Sequence, residues 1–245
     1  LDEGGDLLRR AQAVDRLSAA MSGWVAARAR ELAAEGKLVG LVGGDHSTPL
    51  GLLREVASRH PGLGVLHLDA HADLRPAFEG FRYSHASIFW NVRRELPGVA
   101  RLIQVGVRDF SGGEAALIAG SGGGIRPWFD GDLRRRLQDG EPWTSLAREI
   151  VADLPGEVYV SIDIDGLDPS LCPHTGTPVP GGLSFPEAVS LLRHVAESGR
   201  RIVGFDLVEV APGPDGDEWD GNVGARLLYK LVGFALRSQE GTGAV

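Results

Sequence analysis

Five short apolar runs, rich in β-branched residues and each broken off by glycine, aspartate or histidine, constrain this chain more than any other feature. They occupy 38–42, 65–68, 102–107, 158–164 and 202–210. Runs of this kind read as strands buried on both faces, because an alternating strand would leave one face polar. Helix-like segments separate most of them, at 49–59, 86–95, 133–154 with interruptions at Gly140 and Pro142, and 186–198. A further helix is expected over 9–35, where Ala13, Leu17, Ala20, Trp24, Val25, Ala27 and Leu32 recur at helical spacing before Gly36. Strands alternating with helices specify an α/β fold: three layers, a central mainly parallel sheet with helices on both faces.

Two helix starts carry explicit signals. Ser47 or Thr48 precedes Pro49, and Ser184 stands three residues before Glu187 as in a capping box. The stretches 112–124 and 212–221 read as loops within one domain spanning 1–245. With 245 residues, 43% of them hydrophobic and 24% charged, the chain suits a single core. The net charge of −8 disfavours nucleic acid and favours a small cation as ligand. The lone Cys172 excludes an internal disulfide, and no apolar run approaches the roughly 18 residues of a membrane span. No leader pattern is present, so a cytoplasmic protein is expected.

In open parallel sheets ligands bind beyond the carboxyl ends of the strands. Here those ends read Gly43-Gly44-Asp45-His46-Ser47, Asp69-Ala70-His71-Ala72-Asp73, Asp163-Ile164-Asp165-Gly166-Leu167-Asp168-Pro169 and Asp206-Leu207-Val208-Glu209. Singly, each has an ordinary structural role: Asp45 or Ser47 as a helix cap, His46 as a packed side chain, Asp168-Pro169 as a turn. Together they differ. Alternate residues of an extended segment share a face, so Asp69, His71 and Asp73 converge, as do Asp163 and Asp165. Four carboxylates brought together repel and lose solvation unless protons or cations offset their charge. Two divalent ions neutralise Asp69, Asp73, Asp163 and Asp165, and a bridging hydroxide leaves the cluster near minus one, receptive to a cation. Oxygen-rich ligation with two imidazoles suits Mn²⁺, and the lack of thiolates argues against structural zinc.

These segments, with Thr175-Gly176-Thr177-Pro178, Gly181-Gly182 and Val208-Glu209-Val210-Ala211-Pro212, resemble the ureohydrolases, the family of arginase, agmatinase, guanidinobutyrase and formimidoylglutamase. The motifs fall in family order from Leu38 onward. The resemblance implies an arginase-like fold and a binuclear manganese hydrolase, with Ni²⁺ or Co²⁺ as substitutes. It cleaves a guanidino C–N bond to urea and an amine by attack of a metal-bridging hydroxide. His46, Asp69, Asp73 and Asp163 look like the ligands of one ion, and Asp69, His71, Asp163 and Asp165 like those of the other. Asp73 would also pass a proton to the leaving amine, Glu209 would pair with the guanidinium, and His85 would exchange protons with solvent. Agmatine is the first expected substrate. The arginines and aromatics of 74–82 keep arginase, guanidinobutyrase and formimidoylglutamase activities open. Members are usually trimers or hexamers, which implies a homo-oligomer.

Two residues depart from the family pattern: Ala86 follows His85 where glycine is usual, and His174 replaces a small residue at the pocket mouth. Trp219, Asp220 and Asn222 resemble an agmatinase-like stretch, with a packed loop as the simpler reading. His60, His67 and His194 read as structural or surface residues, and Arg108 as an ion-pair partner. The family also has a strand before its opening helix that this sequence does not show. The expectation is that residues preceding Leu1 supply it, since losing an internal strand would leave backbone groups unpaired. Single-zinc deacetylases of similar fold are disfavoured because both carboxylate sets are complete. A noncatalytic metal-binding relative is disfavoured for the same reason.

Overall fold

A computed structural model describes residues 3–240. Six strands form one all-parallel sheet in the order β1-β6-β5-β2-β3-β4: β1 Gly40–Val42, β2 Leu63–Leu68, β3 Val99–Val105, β4 Ile125–Trp128, β5 Glu157–Asp163 and β6 Arg201–Val208. The helices are α1 Glu3–Ala34, α2 Leu50–Arg59, α3 Ile88–Glu95, α4 Gly112–Gly120, α5 Asp130–Gln138, α6 Trp143–Ala152, α7 Phe185–Glu197 and α8 Trp219–Arg237. No helix among the described residues is long and apolar enough to cross a membrane.

The continuous apolar runs become strands because both faces are covered. Every residue of β2 is buried. On one face Leu66, Leu68, Val160 and Ile162 pack against residues of α6, α7 and α8, including Ile150, Leu192 and Leu227. On the other, Val65, Leu102 and Tyr159 pack against residues of α2 and α3, including Leu53 and Phe89. Two capping boxes set helix starts: Ser184 with Glu187 at α7, as the sequence predicts, and Ser111 with Glu114 at α4.

Several expectations need correction. The stretch 112–124 is not all loop, because the Ser111 cap starts α4 despite its glycines. The 212–221 stretch ends inside the first turn of α8. Pro49 itself is the cap residue of α2, without a side-chain cap bond; Thr48 donates instead to the Asp45 carbonyl. In α1, Leu17 and Trp24 are exposed rather than core residues. That helix docks through Ser22, Val25 and Ala26, where α2 presents Gly51. A Cβ on Gly51 would lie 2.2 Å from the Ser22 carbonyl oxygen and 3.0 Å from the Ala26 nitrogen.

Because backbone and not a flexible side chain occupies that space, Gly51→Ala should cost about 1–3 kcal/mol by forcing the two helices apart. Urea denaturation measures the loss, and an unchanged midpoint would show that the α1–α2 contact yields.

Candidate metal centre

The chain runs from β2 outward through β3 and β4, then returns to β5 and β6 on the other side of β2. That reversal places a crevice between β2 and β5, the position where open α/β sheets bind ligands. Leu68 pairs with Ile162, so the next residues, Asp69 and Asp163, sit side by side at its floor. Four adjacent strands, β1, β6, β5 and β2, deliver the charged residues. His46 comes from the turn after β1, and Asp69, His71 and Asp73 follow β2. Asp163 ends β5, Asp165 lies in the 3₁₀ turn Ile164–Gly166, and Glu209 follows β6.

Two clusters form around two imidazole nitrogens. His46 Nδ1 lies 3.1 Å from Asp69 Oδ2, 3.1 Å from Asp73 Oδ2 and 3.3 Å from Asp163 Oδ2. His71 Nδ1 lies 3.3 Å from Asp69 Oδ1 and 3.1 Å from Asp165 Oδ2. Asp69 turns one oxygen to each cluster. All of these side chains are buried except that of His71, which is partly open to solvent. The donor set, carboxylate oxygens and imidazole nitrogens converging from several directions, fits divalent ions of hard to borderline character.

The surroundings hold the donors in place. Ser161 Oγ sits 2.9 Å from His46 Nε2 and donates to the buried Asp206, an arrangement that orients a ligating imidazole. Asp165 accepts from the Ala70 amide and from Thr177 Oγ1, and Asp163 Oδ1 accepts from the Asp165 amide. Asp73 takes a left-handed backbone, φ 52°, and its carbonyl accepts from the Phe89 and Trp90 amides at the start of α3. Glu209 is also left-handed, φ 62°. Its amide donates to the Gly44 carbonyl, its own carbonyl accepts from Thr175 Oγ1, and its Oε1 accepts from the His46 amide. Non-glycine residues in this region cost free energy and are held there by their surroundings, a pattern that gathers at functional sites.

His85, in the 3₁₀ turn His85–Ser87, lines a cleft of about 170 Å³ together with His71, Asp73, Arg75, Phe78 and Thr177. Its ring meets that of Phe78 edge to face at 5.4 Å. The remaining polar residues separate from the cluster. His60 pairs with Glu157, and His194 with the Ser190 carbonyl. His174 donates its amide to buried Asp220 and holds its ring nitrogen 2.9 Å from the same carboxylate, so it packs toward α8. Arg108 makes no ion pair among the described residues: its guanidinium donates to the carbonyls of Gly106, Asp165, Leu167 and Val179, where strand-end loops leave acceptors unpaired. Two residues without a sequence signal for the site stand behind it: His67, buried in β2, reaches Asp69, and Gln104 lies behind His67.

A match to the arginase family model extends over residues 8–233, and the chain belongs to that family. It is 38% identical over 225 residues to proclavaminate amidinohydrolase of Streptomyces clavuligerus, covering 90% of this chain and 67% of the relative. It is also 38% identical over 200 residues to N(1)-aminopropylagmatine ureohydrolase of Thermus thermophilus, covering 81% of this chain and 63% of that protein. The chain therefore spans about two thirds of the length of these relatives. Among solved structures, arginase from Bacillus cereus superposes with a TM-score of 0.74 at 28% identity, covering 89% of this chain and 77% of the other.

Electrostatics make the cluster sensitive to pH. Burial, reinforced by Asp69, pushes Asp73 up to about 7, and burial with Asp69 and Asp165 pushes Asp163 well above the usual carboxylate range. Burial alone would lower His71, but Asp165 and Asp69 outweigh it and raise it to about 11. Asp69 moves the other way: burial is outweighed by His67, His46 and His71, which hold it well below its ordinary value. A raised Asp73 contributes stability that is fully present below about pH 3.8 and is lost as pH rises through about 7. Asp69 has the opposite sign, but its effect falls below pH 3.8. His67, lowered to about 4, opposes Asp73 below pH 6.5 and the raised His71 joins Asp73 above it, so the metal-free protein should lose stability most clearly as pH rises above 6.5. Mn²⁺ should restore it most in that range, releasing protons as it binds. Denaturation with and without Mn²⁺, and calorimetry in buffers of different ionisation enthalpy, measure both effects. Stability that is flat with pH, or binding without proton release, would contradict this electrostatic picture.

Proposed function

We propose that this chain is a hydrolase of guanidino compounds that releases urea and an amine and works with two Mn²⁺ ions. His46, Asp69, Asp73 and Asp163 would hold one ion; Asp69, His71, Asp163 and Asp165 would hold the other. The observation that carries this reading is the pair of clusters sharing Asp69 beyond the ends of β2 and β5, with the Glu209 carboxylate bonded to the His46 amide beside them. The relatives' names, an amidinohydrolase and a ureohydrolase, point to the same reaction class. Ions bound there would neutralise the carboxylates and lower the pKa of water enough for attack on the guanidinium carbon near neutral pH. Ni²⁺ or Co²⁺ would satisfy the same donors.

The protein's own groups do the rest. Glu209 has Oε1 committed to the His46 amide and its Oε2 side faces Gly176, so a guanidinium N–H can bond there. Burial raises the Glu209 carboxyl, and an arriving cation offsets that desolvation. Asp73, on the cleft beside His71, can accept a proton and return it to the leaving amine. His85, on the same cleft, can exchange that proton with solvent. A net charge of −8 suits a cationic substrate, with agmatine the first to test, and we read the enzyme as a homo-oligomer.

Urea release by the Mn²⁺-loaded protein against agmatine, arginine, guanidinobutyrate, guanidinopropionate and guanidine, with formamide release from formiminoglutamate, tests the reading. Preference for agmatine supports it. Preference for another compound moves the substrate and keeps the reaction, and turnover of none would overturn the hydrolase. Asp163→Ala should remove activity and lower the content of both ions, as read by elemental analysis. Glu209→Gln should keep the metal and lose about 10- to 100-fold in turnover; unchanged turnover would remove Glu209 from the mechanism.

A further inference from the structure

We propose that His67 and Gln104 are positioning residues that fix the orientation of Asp69 through a single imidazole tautomer. The inference rests on the two-ion reading, in which Asp69 serves both ions. His67 sits inside β2, fully buried, two residues before Asp69, and Gln104 is its register partner on β3. Their hydrogen bonds leave one consistent arrangement of protons.

The Ala72 carbonyl lies 2.7 Å from Gln104 Nε2. A carbonyl only accepts, so the amide nitrogen and not its oxygen must face it, which fixes the amide's orientation. The second N–H of that nitrogen points to His67 Nδ1 at 3.0 Å. Nδ1 must therefore be the bare, accepting nitrogen. The proton of the neutral ring is then on Nε2, 2.7 Å from Asp69 Oδ2, to which it donates. A bare Nε2 facing that carboxylate would set lone pair against lone pair, so His67 is not itself a ligand, although it lies within reach of the cluster.

The consequence is directional. Asp69 Oδ2 has one lone-pair direction taken by His67 and points the other toward the His46 position, while Oδ1 faces His71. The chain of contacts begins at the Ala72 carbonyl, whose residue lies between His71 and Asp73, so the segment that carries the ligands also sets the tautomer that aims one of them. Gln104 Oε1, buried without a partner among the described residues, is the cost of that orientation.

The test separates hydrogen bonding from packing, since His67 also packs on Phe89 at 4.1 Å. His67→Phe keeps a ring and loses the N–H; His67→Gln loses the ring and returns an N–H near the Nε2 position. Calorimetric titration with Mn²⁺ should show both ions weakened about 10- to 100-fold in His67→Phe, and largely recovered in His67→Gln. Unfolding midpoints check that both variants are folded. A role in packing alone reverses the order and would overturn the proposal, as would equal affinities in all three proteins. If the wild type takes up no second ion, the two-ion reading fails first and this inference falls with it. As a second measurement, nitrogen NMR of histidine-labelled protein loaded with diamagnetic Zn²⁺ should show His67 protonated at Nε2 and bare at Nδ1. In Gln104→Met the Asp69 carboxylate still holds the proton on Nε2, so the tautomer should persist while the Nδ1 resonance moves with the loss of its donor. The opposite tautomer in the wild type, or loss of the Nε2 proton, would overturn the assignment.

Discussion

The mutual repulsion of Asp69, Asp73, Asp163 and Asp165 is the constraint around which the molecule is arranged. Two adjacent strands, β2 and β5, bring their ends together because their apolar residues need cover on both faces, and this carries Asp69 and Asp163 into neighbouring positions. Nothing apolar can relieve the resulting charge. Every other feature of the crevice either offsets it or holds a group against it: His46 and His71 amid the carboxylates, backbone amides on Asp163 and Asp165, and the left-handed turns at Asp73 and Glu209. The mixed pKa shifts express the same conflict, with Asp73 raised and Asp69 lowered within one cluster.

Rigidity around the carboxylates comes from side chains that stand behind them. Arg108 ties the carbonyls of Gly106, Asp165, Leu167 and Val179 together beneath them. Ser161 and Asp206 stand behind His46, while Gln104 and His67 stand behind Asp69. Backing of this kind keeps a ligand's geometry when solvent or substrate competes for it. Arg75, Phe78 and His85, which line the cleft beside His71 and Asp73, come from the loop between β2 and α3.

The strand ends were the legible part of this sequence. Continuous apolar runs announce the parallel sheet through local periodicity, whereas the carboxylates after β2 converge through a segment beyond the strand that turns left-handed at Asp73, not through the alternation of an extended strand. What escaped depends on distant partners or on weak local signals. β4 is a four-residue edge strand containing Pro127, which reads as a turn. α4 hides behind its glycines, although Ser111 and Glu114 held a readable cap. α8 has no side-chain cap bond to announce its start, and α1 presents Leu17 and Trp24 outward because Gly51 fixes which face docks. His67 looked like an ordinary strand residue since its partner, Gln104, is thirty-seven positions away, and only the β2–β3 register brings them together. Arg108 looked like an ion-pair residue because sequence does not reveal which carbonyls a loop leaves bare.

The most direct test of the account is anomalous diffraction from crystals of the Mn²⁺-loaded protein, collected at the manganese absorption edge. The account predicts two peaks about 3.5–4 Å apart, one among His46, Asp69, Asp73 and Asp163 and one among Asp69, His71, Asp163 and Asp165, with Asp69 touching both. A single peak, or manganese bound away from these carboxylates, would contradict it.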